Sequence, residues 1–351
     1  MKRLAVVVFN LGGPDSPQAV QPFLFNLFSD PAIISLPQPL RWLVAKMISG
    51  RRAPVAQEIY HHLGGKSPLL EQTQQQADAL AAALTEGETE ARVFIAMRYW
   101  HPMTDRAVAE VKAYAPDAVV LLPLYPQFST TTSGSSLKLW QQEAARQGLT
   151  VPTQAVCCYP AETGFISAMV ETLVPLLRQA METGTPRLLF SAHGLPKKVV
   201  DGGDPYQAQV EQTAAAVIRV LEQRDPQWHG LDWQVCYQSR VGPLEWIGPS
   251  TDAEIERAGR DGVPLVLMPL AFVSEHSETL VELDIEYGKL AADSGVPLYL
   301  RAATVQSHPD FIGGLAGLVR QTLDWPQGAT PRPDGGLRRC ADRWGKCPCQ
   351  P

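Results

Sequence analysis

Leu188-Leu189-Phe190-Ser191-Ala192-His193-Gly194-Leu195-Pro196 is an apolar run that ends in a histidine and then turns. A short apolar stretch bounded by Gly and Pro reads as a strand buried on both faces, the kind found in parallel sheets. Gly194 and Pro196 stop it, which sets His193 at the strand's carboxyl end, where ligands bind in open α/β sheets. A single histidine there is more often a hydrogen-bonded structural residue, so its chemistry has to be argued from its neighbours.

Outward from this run, strand and helix patterns alternate, as in parallel sheets with crossover helices. Strands are expected at residues 4–9, 92–97, 118–122, 151–157, 187–191, 233–237, 264–268 and 297–300, and helices at 69–84, 166–181, 208–221, 279–290 and 311–323. Strand ends in the first half have partners in the second. Phe9-Asn10-Leu11-Gly12-Gly13-Pro14 lines up with Ser191-Ala192-His193-Gly194-Leu195-Pro196, and Leu122-Pro123-Leu124 with Met268-Pro269-Leu270. A third pair sets Arg98-Tyr99-Trp100-His101-Pro102 against Ser239-Arg240-Val241-Gly242-Pro243. The fold expected is α/β, with two similar Rossmann-like domains whose parallel sheets face each other across a cleft. Their bounds are 1–155 and 156–306, followed by a helix at 307–325 and a linker with a Cys-rich tail at 326–351.

Pro14 to Pro102 spans 88 residues and Pro196 to Pro243 only 47, so the first half carries an insertion of about 41 residues, placed at about 22–62. The insertion is apolar and broken by prolines, with Pro22-Phe23-Leu24-Phe25, Ile33-Ile34 and Trp42-Leu43-Val44, and it closes on Arg51-Arg52. It reads either as a helical subdomain burying these side chains or as an apolar lip that meets a flat ligand or a bilayer surface.

Composition sets bounds on function. Over 351 residues the net charge is −6, which argues against nucleic acid as a partner. The first strand begins four residues into the chain, with no room for a signal peptide, so a cytoplasmic location is expected. No apolar run approaches the ~18 residues of a spanning helix. Six cysteines without a secretory signal read as reduced thiols or metal ligands. The loop Asn10-Leu11-Gly12-Gly13-Pro14 lacks both the dinucleotide fingerprint and the P-loop Lys, so no nucleotide is expected.

The densest chemistry follows the strand at 264–268. His276, Glu278, Glu282 and Glu286 lie at the start of a helical pattern, with the three glutamates every four residues on one face. Like charges at that spacing repel by about a few tenths of a kcal/mol per pair, so the row is mildly unfavourable unless it holds protons or cations. A solvated acidic face is the plain alternative. A histidine opposite such a row suits removal of protons at neutral pH, and imidazole with carboxylate also suits ferrous iron.

The stretch from Phe190 through Gly202-Gly203-Asp204-Pro205-Tyr206 resembles ferrochelatases, which insert ferrous iron into a porphyrin to make haem. So do Pro269-Leu270-Ala271-Phe272-Val273-Ser274-Glu275-His276-Ser277-Glu278-Thr279-Leu280, Arg51-Arg52-Ala53-Pro54, Leu63-Gly64-Gly65-Lys66-Ser67-Pro68, Arg98-Tyr99-Trp100-His101-Pro102, Tyr125-Pro126-Gln127-Phe128-Ser129 and Gln238-Ser239-Arg240-Val241-Gly242-Pro243. These motifs run from Asn10 to about Tyr287. The resemblance implies a chelatase-like fold, Fe(II) as substrate and protoporphyrin IX as the porphyrin. Coproporphyrin III is the alternative substrate, and a non-catalytic tetrapyrrole or metal carrier the alternative class.

The resemblance carries the essential glutamate onto Glu278, its histidine neighbour onto His276 and the acidic path onto Glu282 and Glu286. His193 becomes the proton acceptor and, with Glu278, a holder of the metal. Porphyrin contacts fall on Arg51, Arg52, Tyr60, Ser67, Arg98 and Tyr99, arginine being suited to the propionate carboxylates. An apolar insert at this place implies a pocket lip and a peripheral contact with the membrane.

Cys340, Cys347 and Cys349 fall within ten residues after a Pro- and Gly-rich linker at 326–336. Thiolates so spaced read as a metal clip that would order a loose tail, against the plain reading of a tail of reduced thiols. Some ferrochelatases hold a [2Fe–2S] cluster with three C-terminal cysteines and one distant cysteine. The resemblance makes Cys340, Cys347, Cys349 and Cys158, or Cys157 in its place, the candidate ligands, although the tail spacing departs from that of the animal enzymes.

Overall fold

A computed structural model of the protein describes residues 2–85, 89–240, 242–325, 332–333 and 340–349. Its described residues divide into two compact units, one of Met1–Cys157 with Ala316–Leu337 and Pro348–Pro351, the other of Cys158–Leu315 with Arg338–Cys347. Most of the linker expected at 326–336 lies outside the described residues.

In the first unit β1 (Lys2–Asn10), β2 (Thr89–Met97), β3 (Ala118–Pro123) and β4 (Thr153–Ala155) form a parallel sheet in the order β2-β1-β3-β4. In the second, β5 (Arg187–His193), β6 (Asp232–Gln238), β7 (Leu265–Pro269) and β8 (Tyr299–Arg301) repeat that order as β6-β5-β7-β8. Each first strand is flanked on both sides and buried on both faces, which is why 4–9 and 188–190 are unbroken apolar runs rather than alternating ones. Every expected strand is present. That at 151–157 is shorter than expected, because beyond Ala155 the chain turns to residue 332, with Cys157 N–H donating to the Arg332 carbonyl at 2.6 Å.

The helices are α1 (Val20–Phe28), α2 (Gln38–His61), α3 (Leu69–Leu84), α4 (Thr104–Tyr114), α5 (Ser133–Gln147), α6 (Thr163–Met181), α7 (Lys197–Asp201), α8 (Tyr206–Arg224), α9 (Thr251–Asp261), α10 (Tyr287–Asp293) and α11 (Pro309–Leu323). In the first unit Val7, Phe9, Phe94 and Trp140 belong to one core, with Phe9 edge-on to Trp140 at 5.9 Å. In the second, Leu189, Ile255, Leu267 and Leu283 do the same.

Hydrogen bonding verifies two of the three aligned pairs. Phe9 pairs with Pro123 as Ser191 pairs with Pro269, and the next residues, Leu124 and Leu270, donate to the Phe9 and Ser191 carbonyls at 2.9 and 2.8 Å. The third pair needs correction. Met97 N–H donates to Pro102 O, and its counterpart Tyr237 N–H donates to Pro249 O, so Pro102 corresponds to Pro249 and not to Pro243. Gly242-Pro243 and Gly248-Pro249 offer the same dipeptide, and only the sheet register tells them apart. The insertion is therefore about 35 residues. It consists chiefly of α1 and α2, whereas only the short α7 fills the equivalent gap in the second unit. Val20, Phe23 and Leu24 of the insertion pack with Tyr60 and Tyr99, while Leu40, Leu43 and Met47 stay exposed.

Candidate active site

β5 pairs with β6 as far as His193 and Gln238 but with β7 only to Ser191 and Pro269, so its last two residues extend beyond β7. Gly194 ends the strand where a Cβ would stand 2.9 Å from the Gln238 carbonyl oxygen, and its N–H donates to that same oxygen. Tyr206, the first residue of α8, donates its hydroxyl to the His193 carbonyl at 3.1 Å. The strand end is thus fixed from two sides, with the imidazole left open.

His193 Nδ1 lies 3.0 Å from Glu278 Oε2, and the two side chains are 39% and 28% exposed, so a solute can reach them. Burial disfavours the Glu278 charge, yet the adjacent His193 outweighs it and holds the carboxyl at about 2. Burial likewise opposes charge on His193, but Glu278 prevails and raises its pKa above 6.5. An ionised carboxylate only accepts, so it assigns the hydrogen to Nδ1. In the neutral ring Nε2 then keeps its lone pair for another proton or a metal.

The acidic row does not lie on an α-helix. Glu278–Glu286 is a π-helix that passes into α10. Its i→i+5 hydrogen bonds widen the turn, a departure common at functional sites. The three glutamates occupy different surroundings. Glu282 accepts from Ser239 N–H at 2.8 Å, Ser239 Oγ at 2.5 Å, Gln238 Nε2 at 3.2 Å and Tyr287 OH at 3.3 Å. Burial and the charge of Glu278 raise its pKa. Glu286 is exposed. His276 is 8% exposed, its ring edge-on to Phe272 at 4.6 Å, and its Nδ1 has no hydrogen-bond partner. Burial lowers its pKa and keeps it neutral.

Among the expected porphyrin contacts, Arg51 and Arg52 are exposed, with Arg52 over the Phe28 ring at 6.0 Å, and Tyr60 and Ser67 are buried. Arg98 and Tyr99 are turned inward onto Asp30 at 2.7 Å each. No local pattern in the sequence marked Asp30. Gln238 and Ser239 stood within a matching motif, but nothing local linked them to Glu282, more than forty residues on.

Within each unit, one cysteine near the tail stands close to another. In the first unit Cys157 and Cys349 are buried, their sulfurs within 4.8 Å of each other as metal ligands require. In the second, Cys340 meets the Cys347 thiol, a contact that raises its pKa together with burial, and Gln209 Nε2 donates to its sulfur at 3.2 Å. Cys347 and Cys349 are separated by one proline in the sequence. Cys157 stands with Cys349, while its neighbour Cys158 lies close enough to Cys340 to help raise the pKa of that thiol.

The Ferrochelatase family model matches residues 3–323. A protein named Ferrochelatase from Caulobacter vibrioides is 53% identical over 99% of this chain and 98% of its own length. Those of Phenylobacterium zucineum and Rickettsia bellii are 52% and 47% identical, each over 99% of this chain and over 98% and 95% of their own lengths. Among solved structures, SirB from Bacillus subtilis with Fe3+ aligns at a TM-score of 0.53 and 13% identity, over 92% of this chain and 96% of that one. At that identity the likeness speaks for the fold alone. No helix among the described residues is long and apolar enough to cross a membrane. With the family model spanning both sheets and full-length relatives sharing about half of the residues, this chain belongs to the ferrochelatase family.

Proposed function

We propose that this enzyme inserts Fe(II) into protoporphyrin IX with His193 as proton acceptor and with His193 and Glu278 as holders of the metal. That a ferrochelatase inserts a metal into a porphyrin follows from the family; the residue roles and the porphyrin are our reading. The observation that carries it is the 3.0 Å contact between His193 and Glu278 at the open end of β5. As the dication enters, two pyrrole protons must leave. His193 Nε2 takes a proton, and Glu278 stabilises the imidazolium that results. Glu282, with its raised pKa, can hold a proton next, and the exposed Glu286 can pass it to water. His276, kept neutral, adds a further nitrogen donor beside this pair without adding charge.

The exposed Arg51 and Arg52 offer the propionates bidentate donors, with Tyr60 and Ser67 nearby in the chain and Arg98 and Tyr99 supporting the same unit. Leu40, Leu43 and Met47, flanked by Arg41, Lys46, Arg51 and Arg52, suit peripheral contact of a cytoplasmic protein with a membrane surface. Cys157, Cys340, Cys347 and Cys349 are the thiols we assign to a [2Fe–2S] cluster, with Cys158 the alternative to Cys157. Such a cluster would supply a cross-link for the tail and no step of the metallation.

An anaerobic assay with Fe(II) and either protoporphyrin IX or coproporphyrin III, following the absorbance change of metallation, tests the reading. Protoporphyrin should be metallated faster, and His193→Ala should lose at least ~100-fold in rate while still binding porphyrin. Turnover like wild type in that variant would overturn the role of His193, and preference for coproporphyrin would overturn the substrate.

A further inference from the structure

We infer that Asp30 is a positioning residue for porphyrin binding, clamping the insertion to the strand ends of the first unit, and that Arg98 and Tyr99 act through it rather than by touching the porphyrin. The inference rests on the proposed reading that the insertion contacts the porphyrin.

Asp30 is 3% exposed, and a polar group so buried needs hydrogen-bond partners. Its Oδ2 accepts from Arg98 Nη2 at 2.7 Å, Tyr99 OH at 2.7 Å and Ser135 Oγ at 2.6 Å, while Oδ1 accepts from Ala32 N–H at 2.8 Å. Arg98 Nε in turn donates to Ser135 Oγ at 2.8 Å. One carboxylate therefore joins the segment after α1, the residues after β2 and the first turn of α5. Asn26 adds a second tie, donating to the Tyr99 carbonyl at 3.1 Å.

The position of this clamp gives it its function. Asp30 stands where the chain leaves the core, and its carbonyl accepts from Ile33 and Ile34 N–H at 3.0 and 2.9 Å, which fixes the direction of departure. The side chains that follow, Ile33, Leu36, Leu40, Leu43 and Met47, are 39–57% exposed. These exposed side chains depend for their position on how the segment that carries them is anchored. Arg98 is 16% exposed and already spends two of its nitrogens on Asp30 and Ser135, which leaves it poorly placed to serve a propionate as well.

The test compares Asp30→Asn, Arg98→Gln and the double variant in the full chain, using porphyrin affinity from the Soret shift, steady-state metallation and backbone hydrogen exchange. Each single change should raise the porphyrin KM about 10-fold with the loss falling on KM rather than kcat. The double variant should be no worse than the poorer single, as for residues acting through one another. Exchange over 26–47 should quicken while that over 187–193 stays as in wild type. Should Asp30→Asn not fold, Ser135→Ala removes one donor and should raise KM about 3-fold in the same pattern. Unchanged KM and exchange in Asp30→Asn, a defect in Arg98→Gln alone, or additive losses would overturn the inference. Absence of metallation in wild type would instead refute the proposed function, and the exchange measurement would still decide whether Asp30 holds the insertion.

Discussion

The His193–Glu278 contact makes two ionisations depend on one another, and its pH dependence can be signed. His193 has a raised pKa, so its share of the stabilisation is complete below about 6.5 and is lost as pH rises through the folded value. Glu278 has a depressed pKa, so its share is present above 4.5 and is lost as pH falls toward about 2. The difference in Tm between wild type and Glu278→Gln should therefore be greatest between pH 4.5 and 6.5 and shrink on either side. Activity follows the neutral imidazole, so the acid limb of kcat/KM should lie above 6.5 in wild type and move down in Glu278→Gln. A pH profile and a Tm difference that are flat across this range would show that the two groups titrate independently.

At the scale of elements, the π-helix distributes three glutamates of one spacing among three surroundings. Glu278 meets His193, Glu282 is held by the end of β6, and Glu286 faces solvent. Glu278→Gln should accordingly cut metallation by about 100-fold or more, and Glu286→Gln by less than about 3-fold. Rate constants measured side by side decide this, and equal small effects would return the row to a solvated face. Spacing made the row legible in the sequence, whereas the wider turn did not, because an α-helix and a π-helix are close in local geometry and differ in which carbonyl each N–H selects.

Across the whole molecule, the proposed cluster draws its ligands from segments far apart in sequence. Cys157→Ser should abolish visible absorbance, bound iron and acid-labile sulfide in anaerobically purified protein, while Cys158→Ser should keep all three. The loaded protein should also unfold at a higher Tm than protein stripped by a chelator, since a group that binds only the folded chain stabilises it. Wild-type protein that is colourless and free of iron and sulfide would rule the cluster out. Loss of the cluster in Cys158→Ser but not in Cys157→Ser would reassign the fourth ligand.

Local pattern by itself determined the α/β class, the positions of the strands, the repeat of one topology in two halves and the place of the insertion. Apolar runs, turn residues and spacing act over a few neighbours, and these are what a chain displays before it folds. The candidates His193, Glu278 and the tail cysteines were legible for the same reason, each standing at a turn, in a row or in a cluster. Only tertiary structure decided which of them meet. The contact of His193 with Glu278 spans 85 residues, and the ladder of β5 with β6 and β7 brings it about. The same holds for Pro249 rather than Pro243, and for Arg98 and Tyr99 turning inward. In each case adjacent or similar residues are equivalent in sequence, and the choice between them rests on register and on the hydrogen bonds of a buried partner, which exist only once separate elements have packed.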